Sequence, residues 1–140
     1  MDSTALLIFI VGVLIVAILL VAVIMLTKKG ISPLDVDKYR MRWLAIEKQL
    51  RSDDPSSIHL CVLNADKLLD QALKERGVKG ETMGERMKNT RDSWSNANAV
   101  WTAHKLRNQI AHEADVRVGY DDARRALASF KQALKDMGAI

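Results

Sequence analysis

Residues Ala5 to Leu26 read ALLIFIVGVLIVAILLVAVIML, with no charge and nothing more polar than Gly12. No other feature constrains the chain as tightly. At 1.5 Å rise per residue, about 20 apolar residues cross a hydrocarbon layer about 30 Å thick. This run is long enough, with a little left for tilt. A cleaved secretory signal needs a basic leader, a shorter apolar core and a small-residue cleavage site. Here the only charged side chain before the run is Asp2, and Lys28 and Lys29 follow it. The sequence therefore predicts an uncleaved single-pass anchor over residues 1–27. The anchor contains no ionisable residue, so it implies no ion or proton path. It has no G-x-x-x-G, so it offers no strong helix-pairing signal.

Orientation follows from the basic residues flanking the span. None precedes it, whereas Lys28, Lys29, Lys38, Arg40 and Arg42 come after it. The expected arrangement is N-terminus outside and C-terminal part in the cytoplasm, at the cell membrane. Cys61 is the single cysteine, so no disulfide framework exists. Its expected role is that of a small buried hydrophobe.

All 21 Lys and Arg follow the run, as does every acid except Asp2, so the remainder carries a net +5 where the whole chain carries +4. A mildly basic surface suits anionic headgroups or a polyanion such as RNA. The connection is short, with a linker expected over residues 28–35. Seven residues from Thr27 to Pro33 reach at most about 25 Å.

From residue 36 onward the apolar spacing is helical throughout, and no strand pattern, repeat or low-complexity tract intervenes. Tyr39, Trp43, Ile46 and Leu50 define a first amphipathic helix. Asp53-Asp54-Pro55 ends it and starts the second, which carries Ile58, Cys61, Val62, Ala65, Leu68, Leu69 and Ala72 and closes at Gly77 and Gly80. Thr82-x-x-Glu85 has the spacing of a capping box for a short extra helix. A third long helix is expected from Ala97 to His112. A fourth is expected from Tyr120 to Met137, with Asp121 and Asp122 at its dipole-favoured N-terminal end. The expected fold is all-α: a transmembrane helix, then an antiparallel four-helix bundle over 36–140 with the short helix between its second and third members.

The third long helix has two faces. Ala99, Val100, Ala103, Leu106 and Ile110 form a core stripe at about 100° per residue. A second face carries Ala97, Trp101, His104, Asn108, Ala111 and His112, an aromatic, polar and basic mixture that a single core does not need, and Asn98, Thr102, Lys105 and Gln109 fill the remaining, solvated arc. On it, HKLRNQIAHE contains Arg107-Asn108 followed by His112. This resembles the R-x-x-x-x-H signature of HEPN domains, four-helix bundles with the motif near the end of the third helix. The resemblance covers roughly residues 36–137, although its specific content is about ten residues.

The resemblance implies two outcomes. Many members are metal-independent endoribonucleases that act as homodimers, with two motifs meeting at the interface. Others are non-catalytic binding or scaffold modules. For the first, Arg107, Asn108 and His112 are the expected catalytic residues, with His104 and Trp101 as possible lining. Imidazole exchanges protons near neutrality. A guanidinium presents a planar fork to phosphate oxygens. Asn108, one turn before His112, could orient it or donate to phosphate. No metal or other cofactor is called for. Expected partners are the lipid bilayer, a second copy through the third long helix, RNA, and a separate regulator or antitoxin. For the second outcome, Arg107 is a structural ion-pair partner of Asp66 or Asp70, and His112 is a helix-end cation. His59 is expected to be inert. Nucleotide binding lacks any glycine-rich phosphate motif to support it.

Overall fold

The computed structural model describes residues 2–27 and 33–140. Lys28, Lys29 and most of the expected linker lie outside the described residues. The chain divides into two units, 1–31 and 32–140. Among the described residues it is all-helical, with six α-helices, one 3₁₀ turn and no strand.

Helix α1 spans Ser3–Thr27. Its large apolar side chains from Leu6 to Met25 are exposed on every side. The segment Ser3–Met25 has a mean hydropathy of 3.6 and is long and apolar enough to cross a membrane.

The second unit holds α2 (Val36–Gln49), α3 (Pro55–Glu75), α4 (Met83–Asn89), a 3₁₀ turn (Arg91–Ser93), α5 (Ala97–His112) and α6 (Tyr120–Asp136). Side chains start most of these helices by accepting from an otherwise unpaired N–H. Asp35 accepts from Lys38 N, Asp54 from Ser56 N, Thr82 from Glu85 N and Asn96 from Ala99 N. Pro55 sits in the first turn of α3, where a missing N–H costs nothing. The Thr82 cap forms, but the returning arm differs from the expected box. Glu85 accepts from the N–H of Glu81, 2.7 Å away, rather than from that of Thr82. The packed unit also takes in Leu34, which is buried, and Asp35, both of which the sequence assigns to the linker.

Helix α3 ends where Gly77 adopts φ +74° and the N–H of Val78 reaches back to Leu73 O. Gly138, at φ +67°, ends α6 in the same way, with Ala139 N donating to Leu134 O. The Arg76 guanidinium donates to the carbonyl of Met137, tying these two ends together.

Helix α3 packs against α2, α5 and α6, and α5 packs against α6. Tyr39, Cys61, Val62, Leu69, Leu73, Phe130 and Leu134 are fully buried between them. The Cys61 thiol lies 3.3 Å from Ile46 O, and burial pushes its pKa up, in keeping with a structural thiol. Of the predicted α5 stripe, Val100 and Ala103 are buried, whereas Ala99, Leu106 and Ile110 are only half-buried. The arc of Asn98, Thr102, Lys105 and Gln109 is exposed, as the spacing predicts.

Candidate functional site

An open cleft of about 950 Å³ runs between α3, α4 and α5. Trp101, His104, Arg107 and Asn108 line it from α5, and Asp66 and Asp70 from α3. Helical spacing explains the grouping, because residues three and four apart stack on one face. On α3 the carboxylates of Asp66 and Asp70 are one turn apart. On α5, Trp101, His104 and Asn108 follow the same rule.

Asp66 is the centre of the cluster. It is only 3 % exposed, and its two oxygens meet two different residues of α5. Oδ1 lies 2.7 Å from Nδ1 of His104, and Oδ2 lies 3.2 Å from Nε of Arg107. A carboxylate oxygen accepts, so in the first contact the ring donates from Nδ1. The second is an ion pair without a hydrogen bond, because the buried Nε–H has no aligned acceptor. Arg107 Nη1 donates to Asn108 Oδ1 at 3.0 Å. About a third of the Arg107 side chain remains exposed. The rings of Trp101 and His104 lie 5.9 Å apart, tilted by 37°.

Asp70 does not serve Arg107. It pairs with Arg86 Nη2 at 2.7 Å and with Lys74 Nζ at 2.7 Å, and Arg86 Nε donates to it at 2.8 Å. Burial works against the charge on Asp70, yet Lys74 and Arg86 hold its carboxyl below the usual range. Arg86 is itself buried, and its Nη1 donates to Gly80 O at 2.6 Å. The two acids thus divide the work, Asp66 fixing α5 and Asp70 fixing α4.

The structure gathers Arg107, Asn108, His104 and Trp101 at one cleft, but not His112. His112 is exposed at the last turn of α5, outside the cleft lining, with no ion or hydrogen-bond partner among the described residues. No hydrogen bond joins Asn108 to His112 among the described residues, and the Asn108 oxygen accepts from Arg107. His59 is half-buried near the start of α3, away from the cleft. The sequence reading missed the Asp66–His104 contact and the burial of Arg86. The first had a signal in the shared α5 face. The second had none, because a charged residue in a seven-residue helix normally reads as solvated.

No group of three or more His, Cys, Asp or Glu with metal-binding geometry occurs among the described residues. Comparison of the chain with protein families, curated proteins and solved structures finds no match.

Proposed function

We propose that this chain is a membrane-tethered HEPN-like domain, an antiparallel four-helix bundle that pairs with a second copy through α5 and cleaves RNA without a metal. One observation carries the reading: the charged and polar residues of the R-N-x-x-x-H motif that a phosphate would need, Arg107 and Asn108, share a cleft with an imidazole already oriented by a carboxylate. In the reaction, the 2′-oxygen bonds to the neighbouring phosphorus as its proton passes to an imidazole. The P–O5′ bond breaks, and the leaving oxygen takes a proton from a second imidazole. The products are a 2′,3′-cyclic phosphate and a 5′-hydroxyl. Arg107 neutralises charge gathering on the phosphate oxygens. His112 from each copy supplies the acid and the base, a role its free position leaves open. Helix α1 holds the domain at the cytoplasmic face of the cell membrane, and a separate regulator restrains the activity.

The test is RNA cleavage by the full chain in mild detergent with EDTA present. Wild type should cut, and Arg107→Ala and His112→Ala should each reduce the rate by 10² or more. Equal inactivity of wild type and both variants, with folding and dimerisation intact, defeats the proposal.

A second reading is favoured by the Asp66–Arg107 ion pair, which already neutralises much of the charge a phosphate would meet. On that reading the unit is a non-catalytic scaffold recruiting a cytoplasmic partner. A pull-down from membranes that yields no reproducible partner, alongside His112-dependent cleavage, excludes it as the main role.

A further inference from the structure

A second, smaller pocket of about 240 Å³ opens beside the cleft, where the 3₁₀ turn meets the start of α5. Its apolar walls are the indoles of Trp94 and Trp101 and the side chain of Met87. Lys88, Arg91 and Asn98 complete the lining, and all three are exposed. Neither Lys88 nor Arg91 forms an ion pair among the described residues, although most cations of the cleft do. Trp94 is 8 % exposed, so one indole is a fixed wall set into the core. Trp101 belongs to both cavities, with this pocket on one side and the cleft holding His104, Arg107 and Asn108 on the other.

We infer that this pocket is a nucleotide subsite that takes one base of a single-stranded RNA, with the adjoining phosphate over Lys88 and Arg91. The inference rests on the RNA reading above and extends it to a second site. The half-buried Trp101 indole offers a stacking surface, with the buried Trp94 and Met87 completing an apolar lining, and base–aromatic stacking tolerates any base. Two unpaired cations at the mouth suit a phosphate. The Asn98 amide can both donate to and accept from a base edge. At about 240 Å³ the pocket lies below the usual range for whole small molecules, about 300 Å³ and above, and its size suits one base of a longer strand. The shared Trp101 wall lets a strand seated here continue into the cleft. An acidic peptide would use the cations and leave the indoles idle.

The test measures binding separately from cleavage. The full chain in phosphatidylcholine nanodiscs is titrated with a fluorescent 2′-O-methyl oligoribonucleotide, which has no 2′-hydroxyl to react. Trp101→Leu should weaken binding roughly tenfold or more. Lys88→Gln with Arg91→Gln should weaken it severalfold and flatten its salt dependence. Because those two side chains are exposed, this variant keeps its fold, which helix content by circular dichroism verifies for both. An oligomer lacking bases should bind much more weakly, and a mononucleotide weaker still. The inference is overturned if the Lys88/Arg91 variant binds as wild type does. It is also overturned if the base-free oligomer matches the normal one, or if the mononucleotide binds as tightly as the oligomer, which would mark a free-nucleotide site. Absence of RNA cleavage by the wild type, with this binding pattern intact, counts against the nuclease reading alone.

Discussion

Nδ1 of His104 lies 2.7 Å from Oδ1 of Asp66, so a carboxylate of α3 orients an imidazole on α5. The same carboxylate faces Arg107. Asp66→Ala would remove both the acceptor of the largely buried His104 Nδ1 and the counter-charge of Arg107, and should destabilise the fold by about 2 kcal/mol. Asp66→Asn separates charge from shape. It keeps the acceptor for His104 but releases Arg107, and it should tighten binding of an uncleavable RNA severalfold if Arg107 meets phosphate. Unchanged or weaker affinity, measured by fluorescence anisotropy, would instead make the ion pair structural.

Acid should loosen the α3–α4 junction. The Asp70 carboxyl is held lower in the fold than in the unfolded chain, where aspartate titrates near about 3.9. A depressed value gives stability that is fully present above the unfolded value and is lost as pH falls through the folded one. Asp136 behaves alike, since burial opposes its charge but the Ser95 N–H lowers its pKa. Asp70→Asn should therefore lower the melting temperature at pH 7 and flatten its decline below about pH 4. A variant curve parallel to that of wild type through the acid range would contradict this.

Gly80 should resist substitution. Its φ is +145°, and a Cβ there would come within 2.8 Å of Arg86 N, which is backbone and cannot swing aside. Its carbonyl also accepts from the buried Arg86. Gly80→Ala should cost about 2 kcal/mol or more, read from thermal unfolding by circular dichroism. Gly84→Ala is the control, because its Cβ would meet the tip of the Trp101 ring at 3.6 Å and Thr82 Oγ1 at 3.9 Å, both ordinary contacts.

Core and motif positions should part company in stability measurements. Leu69 is fully buried, and Leu69→Ala should cost about 2–5 kcal/mol. His112 is exposed and has no partner among the described residues, so His112→Ala should stay within about 0.5 kcal/mol of wild type. That leaves its effect on RNA cleavage interpretable as chemistry. A large stability loss in His112→Ala would show that the imidazole has a structural partner.

On the membrane-anchor reading, α1 should be sensitive to added charge. Replacing both Leu14 and Ile15 by Arg adds about 2.5–3.5 kcal/mol each to insertion and should move the chain out of the carbonate-resistant membrane fraction. The same apparatus reads orientation. Ser52 is exposed, and a Ser52→Cys variant should react with a membrane-impermeant maleimide only after permeabilisation. Labelling in intact cells would reverse the proposed topology.

The helices were largely legible in the sequence because local chemistry sets them. Asp54-Pro55 and Thr82 mark starts within a few residues, and the spacing of Val100 and Ala103 marks a buried face, whereas the Asn96 cap was seen only in the structure. The candidate site was only half legible. That Arg107 meets an acid of α3 follows from two facing helices, but which acid depends on how far one helix is shifted along the other. Asp66 and Asp70 are one turn apart on one face, so spacing alone cannot choose between them. The shift also decides that Arg86, rather than Arg107, reaches Asp70. His112 illustrates the opposite limit. Its helical phase matches Asn108, yet it lies beyond the cleft, because phase fixes a direction around the helix and not a distance along it.

Trp101 was described as one wall common to two cavities. A single ring cannot adjust to one occupant without changing the shape offered to the other. On the RNA reading, a ligand that moves this ring from one side would alter affinity on the other, and any such linkage is reciprocal: whatever factor a ligand in the aromatic pocket imposes on affinity in the cleft, a ligand in the cleft imposes in return. One indole would then join the two compartments of this domain as a coupled pair.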